Sequence, residues 1–210
     1  AEKLILEGKV YLNKIICKKP NINVNDNDIV KINNKLIKIN KEIKVWKIYK
    51  PVKVICTNKD IKKRKRIFDL LPNNFSRVIS IGRLDYMSEG LLLLTNNGDY
   101  ARKLELPLSN YLRVYKVCIK GKVDQIMINK INRGIAVNEV KYKKINVKID
   151  KKLKNYTWLL FRLNEGKNRE IRNISKYFNW KIVRLIRIQF GEIKLDKLKP
   201  GEFEIVKKHI

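Results

Sequence analysis

Acidic residues are scarce in this chain, and histidine and cysteine are scarcer. The only histidine, His209, stands beside the carboxyl end, so a Ser-His-Asp or Cys-His mechanism has no base to work with. Cys17, Cys56 and Cys118 are odd in number and widely spaced, with no Cys-x-x-Cys pair, which implies neither a disulfide framework nor a zinc site. No Gly-x-Gly-x-x-Gly follows a strand pattern, so a dinucleotide fingerprint is missing. The expectation is chemistry with no metal and no cofactor. No apolar run approaches the ~20 residues of a membrane span, and the opening Ala1-Glu2-Lys3-Leu4-Ile5-Leu6 lacks a signal-peptide layout. A reducing, cytoplasmic setting away from any membrane is expected.

The shortage of acids defines what remains. Twenty Asp and Glu face forty-nine Lys and Arg over 210 residues, a formal charge of +29. A field of that sign attracts a polyanion and holds it by releasing its counterions, which points to nucleic acid. Lys, Ile and Asn are abundant together, as AT-rich coding produces, but that bias does not explain so few acids. Apolar residues at 44% and aromatics at 9% exclude a disordered chain.

The length suits one well-buried domain plus a small appendage. Residues 2–7 carry a short helical pattern that Gly8 stops. Strand-like pieces at 10–13 and 28–32, separated by Pro20 and a run of Asn and Asp, complete a small basic module, with residues 37–44 as linker and a boundary at 42/43. Beyond it, strand signals recur at 45–49, 52–57, 78–81, 91–95, 113–119, 140–149, 157–163 and 181–190. Two helices are predicted, 99–104 capped by Asp99, and 168–178, where Ile171, Ile174 and Phe178 recur at helical spacing. Strands joined by short turns outnumber helices, so the fold class is α+β, a mixed and mainly antiparallel sheet with flanking helices.

The richest stretch is Ser80-Ile81-Gly82-Arg83-Leu84-Asp85-Tyr86-Met87-Ser88-Glu89-Gly90. It lies between two buried-looking strands, so Asp85 falls on a loop where its carboxylate can face a cleft. Arg83 places a permanent cation two residues away. From spacing alone, an ordinary Arg83–Asp85 loop ion pair is the commoner explanation, since Arg-x-Asp in loops is usually structural.

Gly82-Arg83-Leu84-Asp85, followed after two residues by Ser88-Glu89-Gly90-Leu91-Leu92-Leu93-Leu94-Thr95-Asn96-Asn97-Gly98-Asp99, resembles the active-site signature of bacterial ribosomal pseudouridine synthases. That family includes small-subunit synthase A and large-subunit synthases B, E and F. The resemblance implies that Asp85 is the catalytic carboxylate. Arg113-Val114-Tyr115 is similar to the family's Lys-x-Tyr, which implies that Tyr115 stacks on the target uracil. Glu165-Gly166-Lys167-Asn168-Arg169-Glu170-Ile171-Arg172-Asn173-Ile174 is similar to the family's Glu-Gly-Lys/Arg-x-x-Gln-Val-Arg-Arg-Met. It implies that Arg172 pairs with Asp85 and that Ile174 lines the pocket. Glu170 in place of Gln adds a negative charge expected near the cleft entrance, and Asn173 in place of Arg removes a possible phosphate contact. Lys50-Pro51 with Thr57 resembles the family's entry strand, though Tyr49 and Lys53 replace its Asn and Gly.

Glu7-Gly8-Lys9-Val10-Tyr11-Leu12-Asn13 resembles the second half of an S4 RNA-binding module, truncated at its start, whose first helix would precede Ala1. The resemblance implies a cofactor-free isomerase acting on ribosomal RNA, of the large subunit rather than the small, as a monomer. Arg83 would fill the gap left by an extruded nucleotide or hold a phosphate, and Lys9, Lys14, Lys50 and Arg169 would contact RNA. The competing reading is a non-catalytic S4-type RNA-binding or ribosome-assembly protein.

Overall fold

The computed structural model describes residues 2–25, 27–37, 42–106 and 109–207, so His209 and linker residues 38–41 lie outside the described residues. Two compact units, Ala1–Glu42 and Ile43–Ile210, make up the chain.

The first unit opens with helix α1 (Glu2–Leu6), which ends ahead of Gly8 at a left-handed φ of 68°. Strands β1 (Val10–Leu12), β2 (Ile15–Ile16), β3 (Val30–Ile32) and β4 (Lys35–Leu36) follow, forming an antiparallel sheet in the order β2-β1-β3-β4. Two-residue turns join β1 to β2 and β3 to β4. Asn13 and Lys14 have φ of 49° and 73°, and Asn33 and Asn34 have 48° and 64°. Positive φ at both central positions matches the right-handed twist of a hairpin, and Asn tolerates that geometry better than most residues. Strands of two residues are too short to show alternation, which is why β2 and β4 escaped the sequence reading.

The second unit is built on a nine-stranded sheet. In chain order its elements are β5 (Val45–Lys50), β6 (Ile79–Ile81), β7 (Glu89–Thr95), α2 (Gly98–Glu105), β8 (Arg113–Lys120), α3 (Gln125–Arg133), β9 (Ile135–Val137), β10 (Val140–Tyr142), β11 (Asn146–Lys152), β12 (Thr157–Leu163), α4 (Glu170–Tyr177), β13 (Lys181–Phe190), β14 (Ile193–Lys194) and β15 (Phe203–Ile205). The order across the sheet is β11-β12-β8-β13-β7-β5-β15, with β6 on β7 and β14 on β13; β9 and β10 pair separately. Every junction is antiparallel except β7 with β13, whose parallel register consists of Ile186↔Glu89 and Arg187↔Gly90. The sheet is therefore mixed and mainly antiparallel.

The unbroken Leu91-Leu92-Leu93-Leu94 run follows from burial on both faces of β7, where all seven residues are buried. Leu91 and Leu93 pack with Ala101 and Leu104 of α2, while Leu92 and Leu94 pack with Ile48, Val54, Ile67, Val78 and Leu84. At ~1.5–3 kcal/mol for each such side chain removed from water, this strand is a principal anchor of the domain. A further cluster fills the far half of the sheet, where Ile128 and Ile131 of α3 and Ile171 and Ile174 of α4 cover Val117, Val147 and Phe161.

Several expectations need correction. Asn97 caps α2, its side chain accepting from the Tyr100 amide at 2.8 Å, in place of Asp99. Residues 52–57 form no strand; a lone bridge links Ile55 to Arg66. The stretch 140–149 divides between β10 and β11. Helix α3 was not foreseen, although Asp124 caps it by accepting from the Met127 amide and Gly134 ends it. Its apolar stripe of Ile128 and Ile131 is one turn long, and Ile126 beside it is exposed, which blurs the pattern.

Candidate active site

Residues 82–88 connect β6 to β7 and carry Asp85. Gly82 enters the loop at a φ of +69° with its amide bound to Glu105 Oε1 at 2.7 Å. Leu84 drops into the core, and a turn closed by the Ser88 amide on the Asp85 carbonyl at 3.0 Å follows. With Leu84 fixed below, Asp85 is left half-buried at the edge of an open cleft of about 860 Å³.

The opposite wall is the start of α4. Ile171 and Ile174 turn its apolar face into the core, and Arg172, one ~100° step round the helix from Ile171, faces the loop. Its Nε donates to Asp85 Oδ2 at 3.2 Å, and its Nη2 donates to the Met87 carbonyl and to Ser88 Oγ, each at 2.9 Å. One guanidinium thus fixes both the carboxylate and the backbone behind it. Burial lowers the pKa of Arg172, with Asp85 pulling the other way. A second cation, Arg169 Nη1, stands 3.5 Å from Asp85 Oδ2. Behind the loop, Lys50 Nζ donates to the carbonyls of Ser88 at 2.7 Å and Pro51 at 2.8 Å, and burial lowers its pKa to about 8.

The floor is the sheet itself. Tyr115 of β8 is half-buried between two cores and lines the cleft, directly across the ladder from Arg187 of β13. Arg113, two residues earlier on the same face, donates to the carbonyls of Tyr111 and Asn164 at 3.0 and 3.2 Å and lies 4.9 Å over the Phe190 ring. The register of β13 shifts between Arg187 and Gln189, an irregularity of the kind that re-aims side chains beside active sites. Arg187 donates from Nε to the Leu91 carbonyl at 2.7 Å, while its Nη2 is buried with no hydrogen-bond partner. Among the described residues no three His, Cys, Asp or Glu side chains cluster as metal ligands do, and no helix is long and apolar enough to cross a membrane.

The cleft thus brings together Asp85, Tyr115, Arg172, Arg169 and Arg83. Arg83 is exposed and makes no ion pair with Asp85 among the described residues; the cations that do are Arg169 and Arg172. Ile174 is fully enclosed in the core rather than at the cleft, because it lies one turn further along the buried face of α4 than Ile171. Leu163, Ile171 and Leu185 supply apolar lining instead. Lys50 is also fully enclosed, so it supports the loop and cannot reach a phosphate. Glu170 does line the cleft, but as a buried side chain. Burial raises its carboxyl pKa to about 6, and Oε2 has no partner. Asn173 donates to Tyr142 Oη at 3.0 Å. Lys53, where the family has Gly, adopts a φ of +61° and binds the Tyr86 carbonyl through its amide at 2.7 Å. In the first unit, Lys14 is exposed on its hairpin turn, and Lys9 pairs with Glu7 at 2.7 Å. Ser88 and Arg187 were missed as site residues, and Lys50 was assigned to RNA rather than to the support of the loop, though a Lys or Arg embedded in an apolar strand run, as in 45–50 and 181–190, is the visible trace of such a role.

The family model described as RNA pseudouridylate synthase matches residues 44–177, a span that takes in the loop, the Tyr115 strand and the Arg172 helix. The chain belongs to that family. The synthase is 43% identical over 210 residues to an uncharacterized RNA pseudouridine synthase of Rickettsia felis, covering all of this chain and 91% of that one. It is 33% identical over 213 residues to the ribosomal large subunit pseudouridine synthase B of Bacillus subtilis, covering all of this chain and 86% of the relative. A crystal structure of a pseudouridylate synthase shares the fold, with a TM-score of 0.73 and 22% identity over 98% of this chain and 88% of the other.

Proposed function

We propose that this synthase isomerises a uridine of large-subunit ribosomal RNA with Asp85 as its catalytic carboxylate. The reaction breaks the bond from ribose C1′ to uracil N1 and joins C1′ to C5; the proton lost from C5 goes to solvent and N1 takes one up. The observation carrying the assignment is that three distant stretches meet in one cleft, with the Asp85 carboxylate oriented by Arg172 above a floor that presents Tyr115. An extruded uracil packs on the Tyr115 ring, which sets its C1′ toward the acid. Attack at C1′, addition at C6 and proton removal to a glycal each use a carboxylate held close in one direction. The Bacillus subtilis relative's name supports the large-subunit assignment. The hairpin unit Ala1–Glu42 is read as an S4-like RNA-binding module, with exposed Lys14, Lys18 and Lys19 on phosphates.

Asp85→Asn keeps RNA affinity and abolishes pseudouridine formation, followed as tritium released from RNA labelled at uridine C5. Retained turnover in that variant rejects the role of Asp85. Mapping pseudouridines in both ribosomal RNAs of cells lacking the gene identifies the substrate, and a missing modification confined to the small subunit rejects the large-subunit assignment.

A further inference from the structure

Between β5 and β6, residues 58–66 hold six cations, Lys59, Lys62, Lys63, Arg64, Lys65 and Arg66, against a single acid, Asp60. The segment is braced. The Asp60 carbonyl accepts from the Lys63 amide at 3.3 Å, and its carboxylate accepts from the Arg64 amide at 2.8 Å and from the Arg64 guanidinium at 2.7 and 3.1 Å. Lys63 turns the chain with a φ of +50°. At the base, Arg66 forks onto Asp69 and donates to the Asn58 carbonyl at 2.6 Å, and its bridge to Ile55 ties the segment to the domain.

These contacts occupy both arginines and both acids. Lys59, Lys62, Lys63 and Lys65 are left exposed and form no direct ion pair among the described residues, Lys62 and Lys65 interacting with Asp60 and Asp69 only at longer range. The turn puts Ile61 and Lys62 at the tip. Ile61 is 101% exposed, the highest value among the exposed large apolar residues. The arm stands at a lip of the cleft, which Ile55, Cys56 and Thr57 just before it and Arg64 within it line, and the Arg64 guanidinium lies 5.8 Å over the ring of Tyr86, the neighbour of Asp85.

We propose that residues 58–66 are an RNA-docking arm, in which the four lysines bind phosphates beside the target nucleotide and Ile61 wedges into an adjacent base step. The proposal rests on the reading of the chain as an enzyme that extrudes a uridine from RNA. A single apolar side chain ringed by lysines is too small for a lipid surface or a protein groove. It matches the gap between two stacked bases, where apolar wedges unstack a step while cations hold the flanking backbone. The bracing keeps the wedge in place before RNA arrives.

The test uses the full chain and a fluorescein-labelled RNA stem-loop with 2-aminopurine in its stem, whose fluorescence rises when it unstacks. The triple variant Lys62→Glu, Lys63→Glu, Lys65→Glu loses about 100-fold in affinity at low salt, and its plot of log affinity against log salt becomes shallower by about 2, as expected for three lost phosphate contacts. Ile61→Ala binds within about threefold of the native chain but loses most of the 2-aminopurine rise, and Ile61→Phe restores it. An unchanged salt slope in the triple variant overturns the arm as a docking element, and a full rise with Ile61→Ala overturns the wedge. Neither readout requires turnover. A native chain that binds and unstacks this RNA yet releases no tritium from any ribosomal RNA would sink the enzymatic assignment and leave the arm standing.

Discussion

Gly90 is where the two halves of the main sheet are joined, and replacing it measures how much that joint contributes. A Cβ built on Gly90 would lie 2.4 Å from the Arg187 carbonyl oxygen, 2.8 Å from the Arg187 nitrogen and 2.9 Å from Ile186 Cγ2. Ordinary contact begins near 3.4 Å, so β7 and β13 must separate by about 1 Å, and the obstacle is backbone that cannot rotate away. The parallel junction has only two registered residue pairs, and this is one of them. Losing its hydrogen bonding inside a buried strand costs ~1–3 kcal/mol. Gly90 also sits at a φ of +101°, which adds ~1–2 kcal/mol for any residue with a side chain. Gly90→Ala is therefore expected to lose roughly 2–5 kcal/mol, lowering Tm by roughly 4–20 °C for a domain of this size. Gly82→Ala is the matched control. Its φ of +69° is also left-handed, but nothing lies within 4 Å of the added atom, so only the backbone cost of about 1–2 kcal/mol remains. Urea unfolding of the variants gives both values from the shift in midpoint at constant slope. Equal losses in the two variants would refute the close approach of β13.

Two further outcomes test the site. Glu170→Gln is more stable than the native chain by about 2 kcal/mol above pH ~6, because burial raises the folded carboxyl from 4.5 to about 6. A raised carboxyl pKa contributes most below the unfolded value of 4.5 and loses that contribution as pH climbs through 6, so the two chains converge near pH 4.5; parallel profiles in urea unfolding would contradict it. Arg172→Lys lowers kcat by about 100-fold, since a point charge cannot hold Asp85, Met87 and Ser88 together. Tritium release under saturating RNA checks this, and a change confined to KM would argue against a positioning role.

Much of the site was legible because its residues cluster in short motifs. Asp85, Tyr115 and Arg172 each stand in a distinctive stretch, and the cleft lines all three. The strand β13 was read to the residue, since six apolar residues, four of them β-branched, spread over ten positions leave little ambiguity. Burial was harder to read. Lys50 closes a strand in which no residue is exposed, but a lysine at a strand end ordinarily reaches water, and Ile174 shares its helix with exposed Lys176 and Tyr177; only the packing of β5 and α4 in three dimensions decides that both are enclosed. The burial of Glu170 was hidden for the same reason: a Glu on the first turn of a helix usually faces water, and here it lines the cleft as a buried side chain. Strand 140–149 read as one because Val140, Tyr142, Val147 and Ile149 continue a β-like composition through the break at 143–145.

The segment around Asp85 is fastened from two directions, by the Arg172 guanidinium on its outer side and the Lys50 amine beneath it. On the proposed reading, a carboxylate tethered this way requires little rearrangement at the moment of encounter. The favourable free energy of contact with the polynucleotide is then available for pulling one nucleotide out of its stack, and the chemistry begins as soon as the base arrives.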